Sequence, residues 1–282
     1  KGYDVSIIDN LSNSDESVIE TIKKISGKTV NFYKCDLLNK ECLNDIFKSN
    51  NFDGVIHLAG LKAVGESTLN PLLYYENNVT GALNLIHAMT SYNVKNIVFS
   101  SSATVYGIPE YLPMDENHPF GPVNPYGQTK FIIENILHDL KRSQSDWSIV
   151  ILRYFNPIGS HSTGSLGDRP TGIPNNLMPY ILDVFKGKQA FLRVFGDDYE
   201  TIDGTGVRDY IHIQDLSDGH VSALDFISNE SGLIEVFNLG TGTGMSVKQV
   251  IQAFEKASSK ELPFKIFPRR SGDVESSFAD PS

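Results

Sequence analysis

The stretch VIHLA at residues 55–59 decides the fold, because it is apolar along nearly its whole length and shows no alternation of apolar and polar side chains. That pattern is typical of a strand covered on both faces, as in a parallel sheet. Further strands are predicted at residues 5–9, 30–34, 97–99 and 149–152, and helices between them at residues 14–26, 39–49, 71–92 and 125–142. Strands that alternate with helices in this way predict an α/β fold with a doubly wound parallel sheet.

The second half of the chain has a different pattern. Glycine and proline become dense over residues 157–179, which indicates a linker or a ligand-binding excursion. Beyond it, helices are predicted at residues 215–227 and 247–258, and strands at residues 190–195, 236–239 and 264–267. The sequence therefore predicts a sheet domain followed by a smaller, mixed α/β lobe.

The composition excludes several classes of protein. With 40% hydrophobic and 21% charged residues, the 282-residue chain has enough apolar material for a core and is not disordered in general. No apolar run approaches the ~18 residues of a membrane span, and the net charge of −10 argues against a general nucleic-acid surface. Cys35 and Cys42 form neither a disulfide scaffold nor a zinc pattern, so no metal site and two reduced thiols are expected.

Asp9 closes the first predicted strand. In dinucleotide-binding folds an acidic residue in this position hydrogen-bonds the adenosine ribose and disfavours a 2′-phosphate, which selects NAD over NADP. An isolated Asp after a strand is more often a turn residue or a helix cap. The glycine-rich phosphate loop belongs about 20 residues upstream, whereas the sequence begins at Lys1. Either that loop precedes Lys1, or the domain does not bind a dinucleotide.

Tyr126 and Lys130 stand four residues apart in a helix that Pro125 is predicted to open, so both side chains share one face. Ser102 lies in a hydroxyl-rich segment just after a buried strand, and ligands bind at the carboxyl ends of such strands. Ser, Tyr and Lys together form a proton-transfer set. A phenol that titrates near ~10 needs its phenolate to be stabilised by about 4 kcal/mol to act near pH 7. The Lys130 ammonium and a cationic nicotinamide nearby are expected to supply this stabilisation.

Five segments carry a family resemblance: HLAGLKAVGES at residues 57–67, FSSSATVYG at 99–107, NPYGQTK at 124–130, LRYFNPIGSH at 152–161 and GTGVRDYIHIQDL at 204–216. They resemble the signatures of the UDP-glucose (UDP-galactose) 4-epimerase family of the extended short-chain dehydrogenase/reductase superfamily. Several of the segments are most similar to fungal sequences. The resemblance runs from Lys1 to Ser282. It implies an NAD-dependent isomerase of galactose and nucleotide-sugar metabolism, in the cytoplasm and homodimeric when intact.

The resemblance also implies a mechanism. Tyr126 takes the proton of the sugar 4-hydroxyl as hydride leaves C4, the 4-keto sugar turns in the site, and Tyr126 returns the proton after hydride has returned to the other face. Ser102 hydrogen-bonds the same oxygen, and Lys130 holds the nicotinamide ribose and biases Tyr126. These roles agree with general acid–base catalysis beside a cofactor that carries the hydride.

The binding residues follow from the same match. Besides the three catalytic residues, those implied for NAD are Asp9, Asn10, Leu11, Ser12, Asn13, Ser14, Asp36, Leu37, Leu58, Ala59, Gly60, Lys62, Asn77 and Phe155. Besides Ser102 and Tyr126, those implied for the UDP-sugar are Asn156, Asn176, Leu177, Leu192, Phe195, Arg208, Arg270, Asp273 and Ser277. Arg208 and Arg270 would hold the diphosphate, because a guanidinium matches phosphate oxygens. Leu58, Ala59 and Phe195 are alternatively strand core.

The domains follow as an NAD-binding Rossmann-type domain at residues 1–156, to which segments near 208–240 return, and a UDP-sugar lobe at residues 157–282. Relative to the family, the first strand with its glycine loop and the C-terminal part are not in this sequence. We therefore expect a Rossmann-type sheet that lacks its first strand, and a chain that binds NAD poorly if made as written.

The sequence argues against a dehydratase and leaves other functions open. Sugar-nucleotide 4,6-dehydratases place an Asp-Glu pair where this chain has Ala103 and Thr104 after Ser102. The chain therefore lacks the catalytic acid that a dehydratase needs to expel the sugar C6 hydroxyl. A different NAD-dependent sugar-nucleotide epimerase or decarboxylase, or an inactive binding fragment of the same fold, stays the alternative. Ser277 is small where some members carry Tyr, so UDP-N-acetyl sugars are expected to fit.

Overall fold

The computed structural model describes residues 2–168, 174, 176–270 and 272–282. Its first half alternates strands with helices. The strands are β1 (Ser6–Asp9), β2 (Asn31–Lys34), β3 (Val55–His57), β4 (Asn96–Ser100) and β5 (Ser148–Tyr154). The helices are α1 (Ser17–Ser26), α2 (Lys40–Ser49), α3 (Val64–Leu69), α4 (Pro71–Tyr74), α5 (Gly81–Ser91) and α6 (Pro125–Ser143).

The parallel sheet that the sequence predicts is confirmed. Strand β1 pairs in parallel with β2, and a four-stranded sheet has the order β3-β4-β5-β9, where β9 is Ile234–Leu239. All the pairs of this second sheet are parallel as well. In the described part of the chain, β1 and β3 each have one strand neighbour and do not pair with each other.

Both faces of the four-stranded sheet are covered, which explains why its strands are apolar without alternation. On one face Ile97 and Phe99 pack into a core built with helices α2, α5 and α6. On the other, Val98 and Val150 pack against Ala223 and neighbouring side chains of α8 (Ile213–Asn229). The sheet is thus the middle layer of a three-layer domain.

Helix α6 begins as its sequence predicts. The Asn124 side chain accepts a hydrogen bond of 2.9 Å from the backbone N–H of Gly127, and Pro125 occupies the first turn. The helix predicted over residues 71–92 is instead divided: a π-helical turn at Tyr75–Thr80 separates α4 from α5. This turn carries the buried Asn78, whose polar partners on other segments outweigh regular helical periodicity.

The second half builds two small sheets. Strand β8 (Val207–His212) pairs with β6 (Asn156–Ile158), β10 (Gly244–Ser246) and β12 (Ser276–Ser277). Strand β7 (Leu192–Phe195) pairs in parallel with β11 (Phe264–Phe267) and packs with α7 (Leu177–Phe185) and α9 (Val247–Ser258). Sequence reasoning missed β6, β8, β10, β12 and α7. Residues 169–173 and 175 of the glycine- and proline-rich stretch lie outside the described residues.

The expectation of two reduced thiols is wrong. The structure joins Cys35 and Cys42 in a disulfide, with their Cα atoms 6.2 Å apart. Cys35 follows the end of β2 and Cys42 lies in the first turn of α2, where the side chain of Asn39 accepts from the Cys42 N–H. The tight β2–α2 turn therefore brings together two side chains that composition alone does not pair.

No helix in the described ranges is both long and apolar enough to cross a bilayer.

Candidate active site at the carboxyl ends of the parallel strands

The residues predicted to hold the dinucleotide collect at one edge of the fold. Asp9 ends β1, Asp36 follows β2, Leu58 follows β3, Ser102 follows β4 and Phe155 follows β5. Carboxyl ends of parallel strands point to the same edge, which is where α/β sheets bind ligands. Leu58 and Ala59 lie beyond the last residue of β3, and Leu58 is 64% exposed, so strand core does not account for it.

The loop after β1 is held in place by its own polar groups. Asp9 Oδ1 accepts hydrogen bonds from the Leu11 N–H at 2.6 Å and from Ser14 Oγ at 2.8 Å. Asn10 Nδ2 donates to Asp36 Oδ2 at 2.8 Å, which ties this loop to the end of β2. Ser12 and Asn13 are exposed in the same loop. The structure thus brings together the residues predicted around the adenosine.

The loop after β3 is positioned by Asn78, which the sequence analysis did not select. Asn78 Oδ1 accepts from the Leu61 N–H at 2.8 Å, and its Nδ2 donates to the Leu61 carbonyl and to Thr129 Oγ1 at 3.0 and 3.1 Å. A Cβ atom on Gly60 would come within 3.2 Å of Asn78 Oδ1. The predicted Asn77 donates to Asn78 Oδ1 at 2.9 Å, and Lys62 is exposed nearby along the loop.

The acid–base candidates lie on the buried face of α6. Tyr126 is 6% exposed and Lys130 is 4% exposed. The hydroxyl of Ser102, the residue that follows the end of β4 by two positions, lies near enough to the Tyr126 phenol to influence its pKa, and it accepts a hydrogen bond from the Thr104 hydroxyl at 3.0 Å. Lys130 Nζ donates to the carbonyl oxygen of Ser100 at 2.7 Å and lies 6.0 Å from the centre of the Tyr126 ring. The structure therefore brings all three predicted catalytic residues together.

Burial dominates the electrostatics of this pair. It raises the pKa of the Tyr126 phenol far above its ordinary value, while the Ser102 hydroxyl acts in the opposite direction. Burial also lowers the pKa of Lys130 to about 8, against the opposing charge of Glu134. The expected bias of Tyr126 toward the phenolate is thus not achieved by the protein groups alone, since the Lys130 ammonium faces a carbonyl and not the phenol.

A second cluster holds the residues predicted for the nucleotide diphosphate, uracil and ribose. Arg270 Nε donates to Asp273 Oδ2 at 2.8 Å, and its guanidinium lies 4.9 Å from the centre of the Phe195 ring. Arg208 Nη2 is 3.7 Å from Asp273 Oδ1, and Ser277 pairs with Arg208 in the β12–β8 register. The side chains of Phe195, Arg208, Arg270 and Asp273 thus form one continuous contact set.

Two links connect this cluster to the catalytic residues. Gly272, next to Asp273, comes so close to the loop before α6 that an added Cβ would lie 3.8 Å from the Val123 carbonyl oxygen. Asn156 starts β6 and pairs with Tyr210 of β8, the strand that carries Arg208. The first link brings the nucleotide cluster up to the segment that precedes Tyr126, and the second joins it to the chain that follows β5.

The comparisons with known proteins agree with this arrangement. Residues 1–240 match the model of the NAD dependent epimerase/dehydratase family. The chain belongs to this family. It is 54% identical over 281 residues to the UDP-glucose 4-epimerase of Bacillus subtilis, which covers all of this chain and 83% of that protein. The mouse UDP-glucose 4-epimerase is 51% identical over 288 residues, with 100% and 83% coverage.

Solved structures of epimerases have the same fold. The UDP-glucose 4-epimerase of Bifidobacterium longum, crystallised with NAD+ and UDP, superposes with a TM-score of 0.97 at 49% identity, over 99% of this chain and 83% of that one. The Stenotrophomonas maltophila enzyme, with bound NAD and formylated UDP-arabinopyranose, gives 0.95 at 45% identity and the same coverage. The predictions of an α/β epimerase, of NAD-dependent epimerisation of UDP-sugars and of NAD as cofactor are confirmed.

Some residues predicted for the epimerase site lie in the core. Leu192 is 1% exposed inside the apolar cluster of the second lobe, against which Leu177 packs. Phe155 is 5% exposed among Val105 and its neighbours, and Leu37 packs against the main core. Their contacts with ligand stay predictions. Asn176 Nδ2 donates to Asp168 Oδ2 at 2.9 Å.

Sequence reasoning missed several polar residues around the epimerase site. Tyr74 is fully buried, donates to Glu66 Oε2 at 2.8 Å and accepts from the Ala63 N–H at 3.0 Å, which fixes the segment after Lys62. Glu134 is 1% exposed below Lys130. The signal for Glu134 was present, because residues 126, 130 and 134 follow one another at a spacing of four and share a helix face.

Proposed function

We propose that Tyr126, Lys130 and Ser102 carry the acid–base chemistry of this UDP-glucose/UDP-galactose 4-epimerase. The observation that carries the proposal is that a buried Tyr and a buried Lys of α6 face the hydroxyl and carbonyl groups of residues 100–102, at the carboxyl end of β4. Tyr126 accepts the proton of the sugar 4-hydroxyl, with Ser102 hydrogen-bonded to the same oxygen, and later returns it.

The residues at the sheet edge fit NAD. Asp9 stands at the end of a parallel strand, its loop is tied to Asp36, and Gly60 brings its backbone close to Asn78. In this proposal residues 9–14, Asp36 and Leu37 hold the adenosine, and residues 58–60, Lys62, Asn77 and Phe155 hold the rest. The chemistry that NAD supplies when bound is hydride transfer from and back to C4, together with a positive charge near the phenol.

Lys130 has two tasks in this proposal. Its ammonium holds the nicotinamide ribose and lends positive charge to the neighbourhood of Tyr126. In the structure its Nζ is already fixed by the Ser100 carbonyl, at 2.7 Å. Because burial raises the pKa of Tyr126, the phenolate forms only when the positive charge of bound NAD is added to that of Lys130.

The second cluster holds the UDP-sugar. Arg208 and Arg270 present guanidinium groups for the diphosphate, Phe195 lies against uracil, and Asp273 holds the uridine ribose. Asn156, Asn176, Leu177 and Leu192 complete this side. Residues 1–156, together with segments near 208–240, then form the NAD domain, and residues 157–282 form the UDP-sugar lobe.

The test compares the unsubstituted protein, made with the glycine-rich phosphate loop that is expected upstream of Lys1 and called the parent below, with Tyr126→Phe and Tyr180→Phe. Turnover of UDP-galactose is measured as NADH formed by UDP-glucose dehydrogenase. Loss of the phenol is expected to reduce kcat by about 10²–10⁴-fold, the size of a general acid–base contribution. Tyr180 is equally buried but lies in the core of the second lobe, so Tyr180→Phe is expected to keep activity. Parent-like turnover by Tyr126→Phe contradicts the proposal.

Substrate range is a finer proposal. Ser277 pairs with Arg208 in register and is a small side chain beside the proposed diphosphate site, so a sugar with a 2-N-acetyl group has room. A related UDP-N-acetylglucosamine 4-epimerase from Methanobrevibacter ruminantium, solved with UDP-N-acetylmuramic acid, superposes with a TM-score of 0.79 at 26% identity. Ser277→Tyr is expected to abolish turnover of UDP-N-acetylglucosamine while keeping that of UDP-galactose. Turnover of UDP-galactose alone by the parent contradicts this part.

We also propose that the protein works in the cytoplasm as a homodimer. The support is an apolar surface on the α3–α4 pair, where Leu69 and Leu72 are 81% and 80% exposed. Light scattering of the parent and of Leu69→Glu/Leu72→Glu tests the dimer. A monomeric parent contradicts it, and cell fractionation tests the compartment.

A further inference from the structure

A third residue on the catalytic face of α6 contacts the serine segment. Glu134 lies four positions after Lys130, which places it one turn further along the same helix face. Its Oε1 accepts a hydrogen bond from Ser101 Oγ. Ser101 stands between Ser100, whose carbonyl receives Lys130, and the serine whose hydroxyl faces the catalytic phenol.

Ser100 and Ser101 are therefore held by two consecutive turns of one helix, and Ser102 lies near the phenol on the turn before them. The backbone of Ser101 is fixed independently by its N–H, which donates to the Leu152 carbonyl at 2.8 Å. Its side chain is 0% exposed, so bulk solvent does not reach it. The carboxylate is thus the group that sets how the side chain of Ser101 lies against α6.

The carboxylate is itself anchored by a buried arginine. Arg153 Nη2 donates to Glu134 Oε2 at 2.8 Å, and both side chains are at most 3% exposed. Arg153 Nη1 also donates to Tyr106 Oη at 3.1 Å and to the Glu116 carbonyl at 3.0 Å, so the guanidinium has partners on two sides. This network fixes the charge of Glu134 below Lys130.

We propose that Glu134 is a positioning residue for the acid–base pair: through Ser101 it sets the carbonyl that holds Lys130 and the hydroxyl that faces Tyr126. The inference rests on the proposed roles of Tyr126 and Lys130. It adds a function for a carboxylate that touches neither reacting group.

Its negative charge has a second consequence for Lys130. Burial lowers the pKa of Lys130 to about 8, and the charge of Glu134 opposes this. The other titratable groups near the ammonium are Tyr126 on α6, whose ring centre is 6.0 Å away, His57 on β3 and His220 on α8. Burial lowers the pKa of both histidines, so at neutral pH neither adds a competing charge. Loss of the carboxylate therefore lets the pKa of Lys130 fall further.

The experiment uses variants of the NAD-loaded protein that separate the tether from the charge. Ser101→Ala removes the tether and keeps the Glu134–Arg153 pair. Glu134→Gln keeps an acceptor for Ser101 and removes the charge, and Glu134→Gln/Arg153→Met removes both buried charges, so that no unpaired guanidinium is left. Asp139→Asn, an exposed carboxylate of α6, is the control.

Two readouts are taken for each variant: kcat and KM as functions of pH, and the pKa of Lys130 from its ¹³Cε NMR signal, identified by its loss in Lys130→Met. Ser101→Ala is expected to lower kcat at least tenfold with KM for UDP-galactose within twofold. Glu134→Gln is expected to move the alkaline limb of kcat, and the NMR pKa, down by about one pH unit. Asp139→Asn is expected to change neither.

Parent-like kcat in Ser101→Ala overturns the tether, and an unchanged NMR pKa in Glu134→Gln and the double variant overturns the electrostatic part. If Glu134→Gln does not fold, Ser101→Ala and the double variant decide. If Tyr126→Phe is inactive and Ser101→Ala has the kcat of the parent, only the inference about Glu134 is refuted. If Tyr126→Phe is active, the proposed function on which the inference rests is refuted.

Discussion

Lys130 and Ser100 are joined by a buried hydrogen bond: Nζ of the lysine lies 2.7 Å from the carbonyl oxygen of the serine, in a side chain that is 4% exposed. The ammonium also lies 4.9 Å from the centre of the Phe99 ring. One carbonyl and the faces of aromatic rings replace only part of the hydration shell of an ammonium in water. The fold therefore holds a cation at the end of β4 at a cost in stability.

Replacing Lys130 by Met is expected to stabilise the fold at pH 7. Burial lowers the pKa of Lys130 from 10.5 to about 8, which means that the charged lysine destabilises the folded protein by about 3 kcal/mol. The variant also loses the hydrogen bond to Ser100, which offsets about 1 kcal/mol of this gain. The unfolded chain binds the additional proton between pH 8 and 10.5, so the parent gains stability across that window and the advantage of the variant shrinks. Urea unfolding at pH 7 and pH 10 measures this. Lys48→Met, an exposed lysine of α2, serves as control, and an equal advantage at both pH values contradicts the prediction.

His57 is expected to make the fold sensitive to acid. It is 4% exposed, its Nε2 has no hydrogen-bond partner in the described part of the chain, and burial, with the Lys130 charge, lowers its pKa to about 3. The unfolded chain takes up a proton as the pH falls through 6.5 and the folded chain does not, so stability is lost between pH 6.5 and 3. His57→Leu is expected to remove about 2 kcal/mol of the loss between pH 7 and pH 4.5. Urea unfolding at the two pH values tests this against the exposed His87→Leu, and equal acid loss in parent and His57→Leu counts against it.

Asp209 is expected to hold the nucleotide lobe together. Its fully buried carboxylate accepts from the Thr241 N–H at 2.8 Å, from the Gly242 N–H at 3.0 Å and from the Ala279 N–H at 3.2 Å. In Asp209→Asn the side-chain NH2 group replaces one of the accepting oxygens and faces backbone N–H groups. The free energy of unfolding is therefore expected to fall by about 3 kcal/mol. Since Arg208 precedes it on β8, KM for UDP-galactose is expected to rise more than kcat falls. The exposed Asp45→Asn is the control, and unchanged stability and KM would show the carboxylate to be dispensable.

Gly107 is expected to tolerate no side chain. Its φ is +72°, and an added Cβ would lie 1.7 Å from the Gly121 carbonyl oxygen, inside contact distance of backbone. Gly107→Ala is expected to destabilise the fold by more than about 3 kcal/mol. Gly65 of α3 has nothing within 4 Å of its added Cβ, so Gly65→Ala is expected to be neutral or stabilising by about 0.5 kcal/mol. Similar melting temperatures for the two variants refute the prediction.

The sequence predicted the parallel strands well because their signal is local. A run such as residues 55–59 is apolar on both faces whatever its partners are, and Asn124 with Pro125 marks the start of α6 without reference to the rest of the chain. In the second half of the chain the local signal predicted β7 and β11 but not β8 or β12. β8 and β12 contain Arg208, Asp209 and Ser277, residues whose strand pairing depends on partners far away in the sequence.

The sequence by itself determined the α/β class, because strand and helix signals lie in neighbouring residues, and the family, through the resemblance of its five segments. It also predicted that Ser102, Tyr126 and Lys130 act together. Only the tertiary structure decided that the Lys130 ammonium faces the Ser100 carbonyl, that burial raises the pKa of Tyr126, and that Glu134 holds Ser101. These properties depend on how far a group is removed from water and on which distant group replaces that water. Packing decides both.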